Sequence, residues 1–232
     1  MQRTLTLIVL LLACAMGCGS SINDAYKADI DRRVSALHAT GTSYPAIDGF
    51  EPMPLAVGQW IELKMVDDKR QPSFIRYSVV GQEGTEGNAF WFETTQKNYY
   101  HTMESRMLIA IGDRSDPATY EVRAYSTRTD GKANEYPPGM LGLLKSLYKP
   151  IISNLVVNWK NLPREDAKVI AGDFAGCFKH RATVSFGPYE QTSDGWSHPS
   201  VPINGMVRSV GVDKPITMEL VAFGTEGAKS SF

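Results

Sequence analysis

Three cysteines and four histidines are the residues of this chain with the most distinctive chemistry. His38, His101, His180 and His198 are scattered. No two stand at the i, i+4 spacing that places imidazoles on one helix face, and no cysteine sits at ligand spacing from them, so a zinc site is not expected. Cys177 and His180 lie three apart in an alternating stretch, and such positions on a strand point to opposite faces, which argues against a nucleophile pair. Cys177 reads instead as a small buried apolar side chain. The sequence carries no Gly-x-Ser-x-Gly elbow, phosphate loop or dinucleotide glycine motif. The acidic pairs Asp67-Asp68 and Glu165-Asp166 read as solvated turn charges. No catalytic residue, metal ligand or cofactor is expected, and the chain reads as a non-enzyme.

Cys14 and Cys18 follow an apolar run. Arg3 precedes Leu5 to Ala13, and small residues and a cysteine come next, the layout of a secretory signal. The run stops well short of the roughly 20 apolar residues that a spanning helix needs. Bacterial lipoprotein signals resemble this layout: cleavage falls directly before a cysteine that becomes acylated. Leu11-Leu12-Ala13-Cys14 has the more usual leucine three places before the cysteine. Ala15-Met16-Gly17-Cys18 leaves a longer apolar run and leads into Gly19-Ser20-Ser21, a tether-like start. Cys18 is the preferred lipidation site and Cys14 the alternative; an ordinary signal peptide cut nearby is the third reading. Acyl chains, at about 0.8 kcal/mol per buried CH₂, would make the membrane a stable partner. Gly19 rather than Asp after the anchor matches sorting to the outer membrane of a two-membrane bacterium. After processing at Cys18, whose sulfur is acylated, only Cys177 remains as a free thiol, so no intramolecular disulfide is expected.

Composition bounds the remaining possibilities. The 232 residues are 43% hydrophobic and 21% charged, ordinary for a globular protein. A formal charge of -1 leaves no net field to steer a nucleic acid, and no nucleic-acid partner is expected.

Segment by segment, residues 1–17 are the signal and 18–57 a tether with a helix and a Pro-rich linker. Asn23 or Asp24 caps the helix, whose stripe is Ile22, Tyr26, Ile30, Val34 and Leu37; Gly41 ends it. This helix packs on the domain, or stands as a stalk. Pro45, Gly49, Pro52 and Pro54 mark the extended linker. Residues 58–224 form a single β-rich domain. Ile61, Leu63 and Met65 alternate with polar residues, as do Ile75, Tyr77 and Val79 across the turn Asp67 to Pro72. Ala89 to Glu93, then Met107, Ile109 and Ile111, then Tyr120, Val122 and Ala124 continue an antiparallel meander. Beyond Trp159, Phe178, His180, Ala182, Val184 and Phe186 alternate, followed by Gln191 to Ser197, Met206 to Val210, and Met218, Leu220 and Ala222. Residues 225–232 are a frayed tail.

One segment breaks the alternation. Met140 to Val157 is apolar nearly all round if helical, with Pro137 and Pro138 before it and Pro150 as its end or kink. Such a helix must be buried nearly all round. The fold class is therefore mostly β (α+β): a curved antiparallel sheet or incomplete β-barrel of about 9–10 strands around one apolar helical segment, plus the N-terminal helix. A flat α+β sandwich is the alternative.

Several pieces resemble a family. Ala171-Gly172-Asp173-Phe174 with Cys177 and His180, Gly195-Trp196, Val201 to Val207, and Met218 to Gly224 are similar to stretches of uncharacterised bacterial secreted and lipid-anchored proteins. Gly58-Gln59-Trp60, Tyr77 to Gly81 and Trp91-Phe92-Glu93 resemble the N-terminal half of the same set. That set is distantly similar to the lipoprotein-carrier (LolA/LolB-type) superfamily, and the resemblance implies an incomplete antiparallel barrel whose helical elements line an apolar cavity for acyl chains. The resemblance carries no catalytic motif, and no functional residue of the carriers is assigned to a position of this chain.

Two functions follow as expectations. In the first, a lipid-anchored carrier binds an acyl chain or other hydrophobic ligand in the concave face of the sheet, lined by Ile61, Leu63, Ile75, Tyr77, Ile109, Leu144, Leu147, Ile151 and Leu220. In the second, these residues are core, and a structural or interaction lipoprotein works through its outer surface. The loop Gln96 to Met103, with Tyr99, Tyr100 and His101, is then a contact; in the carrier reading it is a membrane-touching tip.

Overall fold

The computed structural model describes residues 21–84, 88–134, 158–186 and 189–232. Cys14, Cys18 and the apolar segment Met140 to Val157, with Leu144, Leu147 and Ile151, lie outside the described residues. The chain is mostly β. Among the described residues one α-helix, α1 (Asp24–Ser35), precedes twelve strands: β1 (Ser43–Tyr44), β2 (Trp60–Val66), β3 (Pro72–Glu83), β4 (Ala89–Lys97), β5 (Thr102–Ala110), β6 (Glu121–Thr129), β7 (Lys132–Ala133), β8 (Arg164–Val169), β9 (Gly172–Phe186), β10 (Tyr189–Ser197), β11 (Met206–Gly211) and β12 (Thr217–Gly224). They form one open, curved sheet in the order β1-β9-β10-β11-β12-β2-β3-β4-β5-β6-β7, with β8 also pairing β9.

The meander β2 to β6 pairs antiparallel throughout, as the alternating residues predict. Its first turn is set by Asp67, whose carboxylate accepts from the amides of Lys69 (2.9 Å) and Gln71 (2.7 Å), an Asx-type turn. β12 pairs with β2 and so joins the C-terminal strands to the meander. Curvature shows in the packing: β8 lies against β11 and β12, although β9 and β10 separate it from β11 in the sheet. One apolar cluster accordingly takes residues from both halves of the sheet, including Leu63 of β2, Ile109 of β5, Val122 of β6, Phe174 and Cys177 of β9, and Leu220 of β12.

Bulges correct the predicted phase in two strands. Between Leu108 and Ile109 the register slips, so Val122 opposes Ile109 while Ala124 opposes Leu108. Tyr125, opposite Met107, takes the inward place predicted for Ala124. In β12 a bulge after Leu220 sets Ala222 opposite Glu62 and Phe223 opposite Ile61, so Phe223 continues the inward face. An extra residue in one strand reverses every side chain beyond it, and period-two reading cannot see that.

α1 packs on the domain rather than standing as a stalk. It lies on the outer face, where Ile30 is buried against Phe74 and Tyr99, with Val34, Leu37, Tyr100 and Val221 around them. Asn23 caps it, its side chain accepting from the amides of Ala25 (3.0 Å) and Tyr26 (3.3 Å). The helix ends at Ser35, ahead of the predicted stop at Gly41. Arg33 pairs with Glu62 and lies over the Phe74 ring. The expectation of a frayed tail is corrected as well. Ala228 donates to the Gly58 carbonyl (2.8 Å), Trp60 Nε1 to that of Glu226 (3.1 Å), and the Ser231 amide to buried Glu93 (2.9 Å). The tail has apolar and polar anchors because Phe232 also sits under Arg128.

Candidate functional site

Of the predicted lining residues within the described regions, Ile61, Leu63, Ile109 and Leu220 are completely buried in the main cluster. Ile75 is buried and sits opposite Leu63. Tyr77 is partly buried and packs against the same cluster, and burial raises its phenol above the ordinary range. The structure packs five of these in one cluster, and Ile75 shares their face through its register with Leu63.

The β4–β5 loop is not a free tip. Tyr99 is buried under α1, donates its hydroxyl to Asp31 (2.6 Å), and accepts the Asn23 amide on its carbonyl (2.9 Å). Tyr100 donates to Gln71 (2.9 Å). Burial and the Asp31 carboxylate push the Tyr99 phenol up to about 12. These aromatic side chains hold the N-terminal helix, which corrects the expected outward contact.

Cys177 is completely buried, its Sγ–H directed at the Phe174 carbonyl (3.7 Å). Burial pushes the thiol up to about 12, leaving almost no thiolate at neutral pH. The register through Cys177 and Phe178 is uninterrupted, so His180 faces away from the thiol. Among the described residues no group of three His, Cys, Asp or Glu side chains gathers around a possible metal position. Glu165 and Asp166 are not turn charges: they lie in β8, where Glu165 accepts from Lys179 Nζ (2.8 Å) and Trp196 Nε1 (3.2 Å) and Asp166 from the Gly176 amide (2.8 Å).

An accessible concavity among the described residues lies elsewhere, at the end of the sheet where β1 runs parallel to β9. A cleft of about 410 Å³ is lined by Ser43, Tyr44 and Pro45 on one side, Asp166, Ala167 and Lys168 of β8 on the other, and Asp173, Phe174 and Ala175 of β9 between them. Tyr44 stacks on Phe174 with ring centroids 4.2 Å apart. Lys168 pairs with Asp173 (3.1 Å) at the rim.

Beneath this cleft the chain solves an unusual burial problem. Residues 198–205 form a loop that is buried almost throughout, with Val201 and Ile203 inserted in the main cluster. A buried loop must find partners for its backbone groups. The loop closes on itself through His198 N–H to the Gly205 carbonyl (2.8 Å) and Val201 N–H to the His198 carbonyl (3.0 Å). Ile203 is held at φ 66, a left-handed conformation that costs a β-branched residue about 1–3 kcal/mol. Arg114 offsets part of that cost by donating to the Ile203 carbonyl and, at 2.7 Å, to the Met53 carbonyl.

The same device holds the strap 45–54 onto this end. Its carbonyls receive side-chain donors in series: His198 to Pro45 (3.2 Å), Arg164 to Ile47 and Gly49 (2.8 Å each), Arg114 to Met53, and Gln59 to Pro54 (2.8 Å). Sequence reading missed this arrangement. Pro45, Pro52 and Pro54, and Pro199-Ser200-Val201-Pro202 with Asn204-Gly205, signalled irregular backbone, but not that two irregular segments meet.

No protein-family model matches this chain, and no curated protein matches it. Among solved structures it is similar to a protein of Bacteroides fragilis NCTC 9343 described as exported and of YmcC-like fold. The two are 12% identical over 76% of this chain and 100% of the other, with a TM-score of 0.39. A likeness this loose transfers neither function nor location.

Proposed function

We propose that this chain is a non-enzymatic protein of the bacterial cell envelope, tethered to the outer membrane through acyl chains on Cys18, that acts as a structural or interaction module through its outer surface. The observation that carries the choice is the packed concave layer: Ile61, Leu63, Ile109 and Leu220 are 0% exposed and touch one another's cluster rather than an accessible space. The anchor rests on the Leu5 to Cys18 layout and the non-enzymatic reading on the absence of a recognisable catalytic motif in the sequence. A second reading, a carrier of acyl chains, is favoured by the curvature of the sheet and by the apolar sequence of Met140 to Val157. Native mass spectrometry with lipid extraction of the protein purified from its host membrane separates the two. The interaction reading expects a domain with no noncovalent lipid and no response to a fluorescent fatty acid; a stoichiometric lipid would overturn it in favour of the carrier.

A further inference from the structure

The tether meets the domain at one end of the sheet. In an antiparallel meander alternate turns share an end, and here the turns 67–71, 98–101, 130–131 and 212–216 stand at the same one. The first turn of α1 is fastened among them. The Asn23 amide donates to the Tyr99 carbonyl (2.9 Å), and the Tyr26 hydroxyl to the Asp130 carboxylate (2.7 Å). Asp130 also accepts the Thr102 amide (2.9 Å), and Tyr100 donates to Gln71 (2.9 Å). Three turns and the helix start are thus bolted together, and the tyrosines are spent on that joint. The loop 198–205 and the strap 45–54 lie at the opposite end.

We propose that this turn end faces the membrane, held against phospholipid headgroups by a tether too short to let the molecule turn over. The inference rests on the Cys18 anchor. Acyl chains hold Cys18 at the level of the headgroups. Asn23 stands five residues further on, and five residues of chain reach at most about 18 Å. β4, with 9 residues, sets the far end of the sheet about 30 Å beyond the turn end. Inversion therefore cannot bring the strap and the cleft to the bilayer, and they open away from it. Exposed apolar residues do not choose the end: Ile22 and Val212 are exposed at the turn end, and Ile47, Phe50 and Val57 on the strap side. The tether chooses it. At the tips Lys69, Arg70, Lys132 and Lys214 are balanced by Asp67, Asp68, Asp130 and Asp213, so the contact has no preference for anionic lipid.

The acylated protein, purified from its host membrane and reconstituted in vesicles of phosphatidylethanolamine with or without phosphatidylglycerol, tests the orientation. Lys69→Cys and Lys214→Cys each put a dye on an exposed tip of the turn end, and Asp48→Cys and Glu51→Cys on the exposed strap. Cys177 is completely buried and stays unlabelled. Lipids carrying a headgroup nitroxide are expected to quench the dyes at 69 and 214 and to leave those at 48 and 51 at full intensity, in both lipid mixtures. Equal quenching at the two ends, quenching confined to the strap, or none at any position would each overturn the proposal. A contrast seen only with phosphatidylglycerol would overturn the tether as its cause. Mass spectrometry of the N-terminal peptide separates these failures from failure of the anchor. Acylation at Cys14, which nearly doubles the reach, or an unacylated chain removes the Cys18 anchor and the orientation together. Acylation at Cys18 with equal quenching removes the orientation alone.

Discussion

The concave layer and the strap end are both buried, but different forces hold them. In the layer, Leu63 of β2 faces Ile75 of β3 and Leu220 of β12, aliphatic against aliphatic, with backbone groups satisfied by the ladder. At the strap end there is no ladder beyond Tyr44, and the backbone is satisfied one carbonyl at a time by Arg114, Arg164, His198 and Gln59. Apolar contact is non-directional and indifferent to pH, whereas a side-chain donor is directional and, when it is an imidazole, titratable. The sheet is held by apolar area and a ladder, and the strap by four side chains that each answer named carbonyls.

Three substitutions break or sharpen that contrast. Leu63→Ala removes a completely buried side chain from the layer and should cost about 2–5 kcal/mol, measured by urea unfolding, with the same loss at pH 7.5 and 5.0. A cost below about 1 kcal/mol would mean that the layer is loosely packed and would revive the carrier reading. Arg114→Ala leaves the carbonyls of Met53 and Ile203 without their donor and should cost about 1–3 kcal/mol. Its signature is local: hydrogen exchange should quicken over 198–205 and not over β3 to β5. Asn23→Ala, on the far side of the sheet, removes a cap worth about 1 kcal/mol. Far-ultraviolet circular dichroism should lose helix signal at a lower temperature than the sheet signal, and a single coincident transition would show that α1 and the sheet melt as one unit.

Much of the sheet was legible because alternation is a direct record of which side chains face inward. The strands carrying Ile61 to Met65, Ile75 to Val79 and Met107 to Ile109 stand where their period two places them. β8 was missed for a physical reason. Arg-Glu-Asp-Ala-Lys-Val offers only Ala167 and Val169 to the core, and a bulge between Glu165 and Ala167 breaks the period. Its charges looked like turn residues because their partners, Lys179, Trp196 and the Gly176 amide, lie 10 to 31 residues further along the chain. The helix stripe of Ile30, Val34 and Leu37 was readable, but its landing place on Phe74 and Tyr99 was not.

The sequence by itself determined the class of structure, the position of the anchor candidates, the antiparallel meander and the burial of Cys177, because each depends on residue type and short-range period. Only the tertiary structure decided that Tyr99 and Tyr100 face a helix rather than solvent, that the tail is tied to Glu93, and that His198 holds Pro45. Those outcomes depend on which distant segments meet. A carbonyl that needs a donor carries no mark of the one it will find.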